Sequence, residues 1–198
     1  MPFVKPFSVL LLASFTPFVM ASENRQHSSH EHGVGQLDVA QEGAEFQIAL
    51  TSPAVNIFGF EHAPHDQEDR EMVKTRLAEL EKGGMLFVFP KGADCRLEDV
   101  HVATSLAGHE THEKHEHEDH EKHDHEKHEH TDHEDDESAH SDVMASWHFD
   151  CAHPEAVGRI DVKLFEHFPQ TEHLRVQWVI GNKQGAAELS SKNAVLQF

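Results

Sequence analysis

Residues 109–140 read HETHEKHEHEDHEKHDHEKHEHTDHEDDESAH. Of these 32 residues, 11 are His, 14 are Asp or Glu, and none is a large apolar side chain. Such a stretch has nothing to bury. It is read as a long, disordered, solvated loop, and the fold must be built from the chain on either side of it. The stretch also repeats: His112–His117 is HEKHEH, His120–His125 is HEKHDH and His125–His130 is HEKHEH. Each unit carries an H-x-x-H and an H-x-H pair.

Neutral imidazole is the commonest protein ligand for zinc, copper and nickel. A chain free to wrap can bring several imidazoles onto one ion, with carboxylates completing the shell or holding the outer ring N–H. His109, His112, His115, His117, His120, His123, His125, His128, His130 and His133 are therefore candidate metal ligands. Three lysines against 14 acids give the stretch a formal charge of −11 out of −20 for the chain. That field attracts cations and favours protonated His, so protons compete with metal as pH falls. The residues leave the identity of the metal open: Zn²⁺ is one candidate, and several ions could bind. Nothing in a disordered His loop enforces tetrahedral geometry, so Cu²⁺ or Ni²⁺ can rival it.

Working outward, Cys95–Thr104 and Val143–Asp150 both alternate apolar and polar residues, the first with a phase shift between Leu97 and Val100. They are expected to pair antiparallel, with the His stretch as the overgrown loop of their hairpin. Cys95 and Cys151, the only cysteines, bracket the span. In an exported protein such a pair points to a disulfide, which would keep the strands flanking the loop from being pried apart. Two free thiols or a Cys metal site are the alternative readings. His101 and His148 are taken as strand-face residues, not ligands.

Met1–Ala21 reads as a secretory signal peptide: Lys5, an apolar run from Phe7 to Met20 broken by Ser14, Thr16 and Pro17, then Val19 and Ala21 before the cleavage point. The run is short for a membrane span, so the mature protein is expected to be exported and not held in the membrane. Residues 22–198 are expected to form a single zinc-binding domain. Removing signal and loop leaves about 145 residues, enough for one core. An acidic chain of this kind is a poor partner for nucleic acid or anionic lipid.

Upstream of the loop, Ser22–His32 carries His30 and His32 as an H-x-H pair. Val34–Ala40 and Glu45–Ser52 alternate as a hairpin about Gly43. Ala54–His65 reads as a loop anchored by Ile57, Phe58 and Phe60, with His62 and His65 as further candidate ligands. Asp66–Lys82 is a helix, capped by Asp66, with Met72, Val73, Leu77 and Leu80 as its apolar stripe. Met85–Phe89 reads as a short apolar strand. Downstream, Gly158–Leu164, His173–Ile180, Gln184–Ser190 and Ala194–Phe198 read as strands. The expected fold is α+β, mainly antiparallel β, with about nine strands and one principal helix over residues 66–82.

Several motifs now fall in one order: His30-x-His32-Gly33, Ser52-Pro53-Ala54, Gly59-Phe60-Glu61-His62, the two cysteines around the His stretch, Leu164-Phe165-Glu166-His167-Phe168-Pro169, and Gln184-Gly185-Ala186-Ala187-Glu188-Leu189. In that order the chain resembles the ZrgA-like periplasmic zinc-uptake family of Gram-negative bacteria. The resemblance implies zinc as cargo, support of high-affinity import, an importer or its receptor as partner, and metal binding by the folded part through His30, His32 and His62. A different function, a sink for excess zinc, copper or nickel, would suit the loop equally. A zinc hydrolase needs three fixed ligands and a placed base. The chain has no H-E-x-x-H and no nucleophile motif, so it is not expected to be an enzyme.

Overall fold

A computed structural model describes residues 31–107 and 141–198. The signal segment, His30 and the His stretch lie outside the described residues. The architecture is α+β, dominated by two sheets. Val34–Glu42 (β1) and Glu45–Pro53 (β2) form a hairpin turned by Gly43, whose φ of +61° suits a residue without a Cβ. Cys95–Thr104 (β4) and Asp142–Cys151 (β5) are the expected antiparallel pair. Their register slips between Leu97 and Asp99, a bulge that accounts for the phase shift in the sequence. His173–Ile180 (β7) and Lys183–Ser190 (β8) make the third hairpin. The large sheet has the order β4-β5-β2-β1-β7-β8 and is antiparallel except where β1 runs parallel to β7.

One face of this sheet is apolar. Leu37, Phe46, Ile48, Leu50, Val143, Trp147, Leu174 and Val176 are buried on it, at the alternate positions the pattern predicts. Trp147 meets the layer above. Its Nε1–H donates to the Leu80 carbonyl at 2.7 Å, and its ring stands edge-on to Phe87, centroids 4.8 Å apart. Leu80 ends the principal helix, Gln67–Leu80 (α2), which Asp66 caps by accepting from the Asp69 N–H at 3.0 Å. The small sheet joins Phe87–Val88 (β3), Arg159–Val162 (β6) and Val195–Gln197 (β9) in the order β3-β6-β9.

Four expectations change. Ala54–Phe58 is a short helix (α1), not loop, held between Pro53 and a left-handed Gly59 at φ +93°. The strand expected over Met85–Phe89 is shortened to Phe87–Val88, because Gly83–Leu86 makes a helical turn (α3). That turn presses on the sheet so closely that a Cβ on Gly83 would lie 2.3 Å from Trp147 Cδ1. Leu164–His167, which overlaps the end of an expected strand, is likewise a helical turn (α4). Met72 is 37% exposed, so the α2 stripe narrows to Val73 and Leu80, with Leu77 partly buried.

Cys95 and Cys151 form a disulfide across the first rung of the β4–β5 ladder. It lies at the end of the hairpin remote from the His stretch, about 30 Å along strands of this length. It does not clamp the feet of the loop. Those are held locally: Ser105 Oγ donates to Ser141 Oγ at 3.1 Å, the Ser141 carbonyl accepts from Ala54 N–H at 2.7 Å, and Leu106 is buried. Replacing both cysteines with Ser is expected to lower the unfolding free energy by about 2–4 kcal/mol, since the bridge closes 56 residues of sequence. Urea unfolding of the double variant against wild type measures this, and a change below about 1 kcal/mol would refute it.

Candidate metal centre

The registers give the large sheet two unlike ends. At one end lie the disulfide, the β1–β2 turn and the β7–β8 turn. At the other lie the start of β1, the end of β2, the start of β7 and both feet of the His stretch, since Val34 pairs with His173, Pro53 with Asp142, and Thr104 with Val143. Among the described residues, the expected ligands His32, His62 and His65 all belong to segments leaving this second end.

The backbone there is tightly fixed. Gly33 takes φ +82°, a left-handed turn. Its N–H donates to Asn56 Oδ1 at 2.7 Å, and its carbonyl accepts from the N–H groups of Glu172 (2.7 Å) and His173 (2.9 Å). Asn56, 2% exposed on α1, also donates through Nδ2 to the Val34 carbonyl (3.2 Å) and to Ser52 Oγ (3.0 Å). One buried amide thus ties the H-x-H-G segment to the helix before the second His cluster. Beside it, Arg175 donates to Glu31 Oε2 at 2.7 Å.

Beyond α1, Gly59 turns the chain and Phe60 packs near Phe58, ring centroids 6.3 Å apart. His62 stacks on Phe60 at 4.8 Å and His65 on His62 at 4.5 Å, making a pile of three rings. His62 Nδ1 lies 3.0 Å from the Ala63 carbonyl. With the proton on Nδ1 for that bond, Nε2 carries the lone pair a metal needs. His65 N–H donates to Asp69 Oδ2 at 3.0 Å, which fixes it to the first turn of α2. The His stretch leaves the fold nearby. Leu106 and Ala107 line a groove with Pro64, Arg70, Val73 and Lys74, next to the ring pile.

The two clusters approach each other through Glu61: His32 Nε2 is 3.3 Å from Glu61 Oε1. The structure therefore brings His32 to Glu61 and His62 to His65. Among the described residues, no group of three or more His, Cys, Asp or Glu side chains is arranged to hold a metal. His30 and His109 through His133 lie outside the described residues. Sequence reading did not single out Asn56, whose partners Val34 and Gly33 are 22 and 23 residues away along the chain. Glu61 stood beside His62 in plain view, but only the fold brings it to His32. No helix among the described residues is long and apolar enough to cross a membrane.

Residues 29–198 match the family model described as ZrgA family zinc uptake protein. No curated protein matches the chain.

Proposed function

The chain belongs to the ZrgA family of zinc uptake proteins, and on that premise we propose that it is an exported, periplasmic binder which captures Zn²⁺ and supports its import. In this reading Met1–Ala21 is the removed signal. The His109–His140 stretch supplies many weak, exchangeable sites, and the end of the fold carrying His30, His32, His62 and His65 holds an ion more tightly for transfer. The protein acts by ligand exchange and not by catalysis; an importer or its receptor takes the ion.

The observation that carries this reading is the shared end of the sheet. The H-x-H-G segment, the His62–His65 pile and both feet of the His stretch leave the fold together there. An ion held by the stretch is tethered close to the ordered candidates, where linkage raises its effective concentration. Ligands exchange one imidazole at a time, so transfer need not release zinc to bulk water.

Competition with a chelator tests it. Changing His32 and His62 together to Ala is expected to weaken the tightest zinc equivalent by at least about tenfold while leaving the weaker ones in place. An unchanged tightest equivalent would refute the ordered site. Accumulation of the protein under zinc chelation supports uptake, whereas accumulation only under excess metal favours a sink.

A further inference from the structure

We propose that Glu61 is itself a zinc ligand, paired with His32 in a mixed carboxylate–imidazole site. The inference rests on the zinc-binding reading above and adds a donor to it. Its Oε1 lies 3.3 Å from His32 Nε2. Two donors each 2.0–2.1 Å from a tetrahedral zinc sit about 3.3 Å apart, so one ion can bridge this pair without either side chain moving far.

The surroundings favour that role. The Glu61 side chain is only 16% exposed, and its Oε1 is buried, whereas the His32 ring is 63% exposed. A carboxylate oxygen withdrawn from water in a chain of net charge −20 is stabilised by a facing cation. An ion arriving from solvent would reach the open imidazole first and then meet the recessed carboxylate.

The backbone beside each of the two donors is held in place. Gly59 fixes the turn before Glu61, with its N–H bonded to the Val55 carbonyl at 2.9 Å, and Phe60 is packed between Phe58 and His62. On the other side, Asn56 grips Gly33 and Val34, which sets where His32 can point. Both donors thus stand on supported backbone, the condition for a preorganised site.

The test uses the whole chain, zinc at one equivalent or less, and a competing chelator. Glu61→Gln keeps the shape and removes the charge; His32→Ala removes the imidazole. If Glu61 is a ligand, both variants weaken the tightest equivalent by at least about tenfold. Thermal unfolding of the metal-free protein stays put, and the visible absorption of the first Co²⁺ equivalent changes in Glu61→Gln. If His32→Ala weakens binding and Glu61→Gln does not, the contact is only an ion pair and Glu61 is not a ligand, while the ordered zinc site stands. If neither variant weakens binding, the inference fails together with that site. Should Glu61→Gln not fold, Glu61→Asp keeps the charge but withdraws the oxygen by one methylene. Undiminished affinity in Glu61→Asp refutes the ligand, and a tenfold loss supports it.

Discussion

Excising residues 108–140 and joining Ala107 to Ser141 through a short Gly-Ser link is expected to leave a folded protein that has lost most of its zinc capacity. The fold should lose little because the excised span has no large apolar side chain to contribute to a core. The hairpin is still closed by its last rung, Thr104 opposite Val143, by the Ser105–Ser141 hydrogen bond and by buried Leu106. Shortening the connection reduces the entropy lost on closing it, so the unfolding free energy should hold or rise by up to about 2 kcal/mol. Zinc capacity falls because 11 of the 21 His leave, together with 11 of the 20 net negative charges. What should remain is the tightest equivalent, which the proposed function assigns to the end of the sheet. Chelator competition counts the ions and urea unfolding reports the fold. A shortened protein that kept its full complement of zinc would remove the His stretch from the function.

Trp147→Ala is expected to cost about 3–5 kcal/mol, a large share of the about 5–15 kcal/mol by which folded domains are stable. Trp147 is fully buried on β5, between Ile48 on β2 and Val100 on β4. It also joins the sheet to the layer above: its N–H satisfies the carbonyl that ends α2, Phe87 stands against its ring, and Gly83 is close enough to exclude any side chain. Alanine would open a large cavity and leave the Leu80 carbonyl without its donor, and the two penalties add. Trp147→Phe should fall between, losing the hydrogen bond but keeping much of the volume. Urea unfolding decides the matter, and a loss below about 1 kcal/mol for Trp147→Ala would show that the two layers are held together elsewhere.

Much of the fold was legible because it rests on period-two alternation. His173–Ile180 was read with its observed bounds, and the slip after Leu97 showed as a break of phase. The short helical pieces were not legible. Ala54–Phe58 has too few residues to display a helical period, and an apolar run such as Met85–Phe89 does not declare itself strand or helix. Strand order was also hidden. Nothing local in β1 says that it lies parallel to β7, or that β9 leaves the large sheet for β6. The candidate site divides in the same way. Imidazoles advertise themselves by composition and spacing, so His32, His62 and His65 could be named as candidates from the sequence. Asn56 and the meeting of Glu61 with His32 depend on contacts between distant segments. The disulfide pairing was foreseen, but its place at the far end of the hairpin emerged only with the register.

The two feet of the His stretch carry an evolutionary consequence. They stand side by side at one end of an edge hairpin and are bonded to each other, so the number of residues between them is uncoupled from the rest of the fold. Closing a chain twice as long across the same feet costs only about 0.6 kcal/mol. Every duplicated HEKHEH hexad brings three more imidazoles. If the stretch binds metal as proposed, cation capacity grows in proportion to repeat number while the penalty grows only as its logarithm. Under the proposed function, repeat expansion and contraction would tune how much metal the protein holds in reserve without disturbing the ordered end of the sheet.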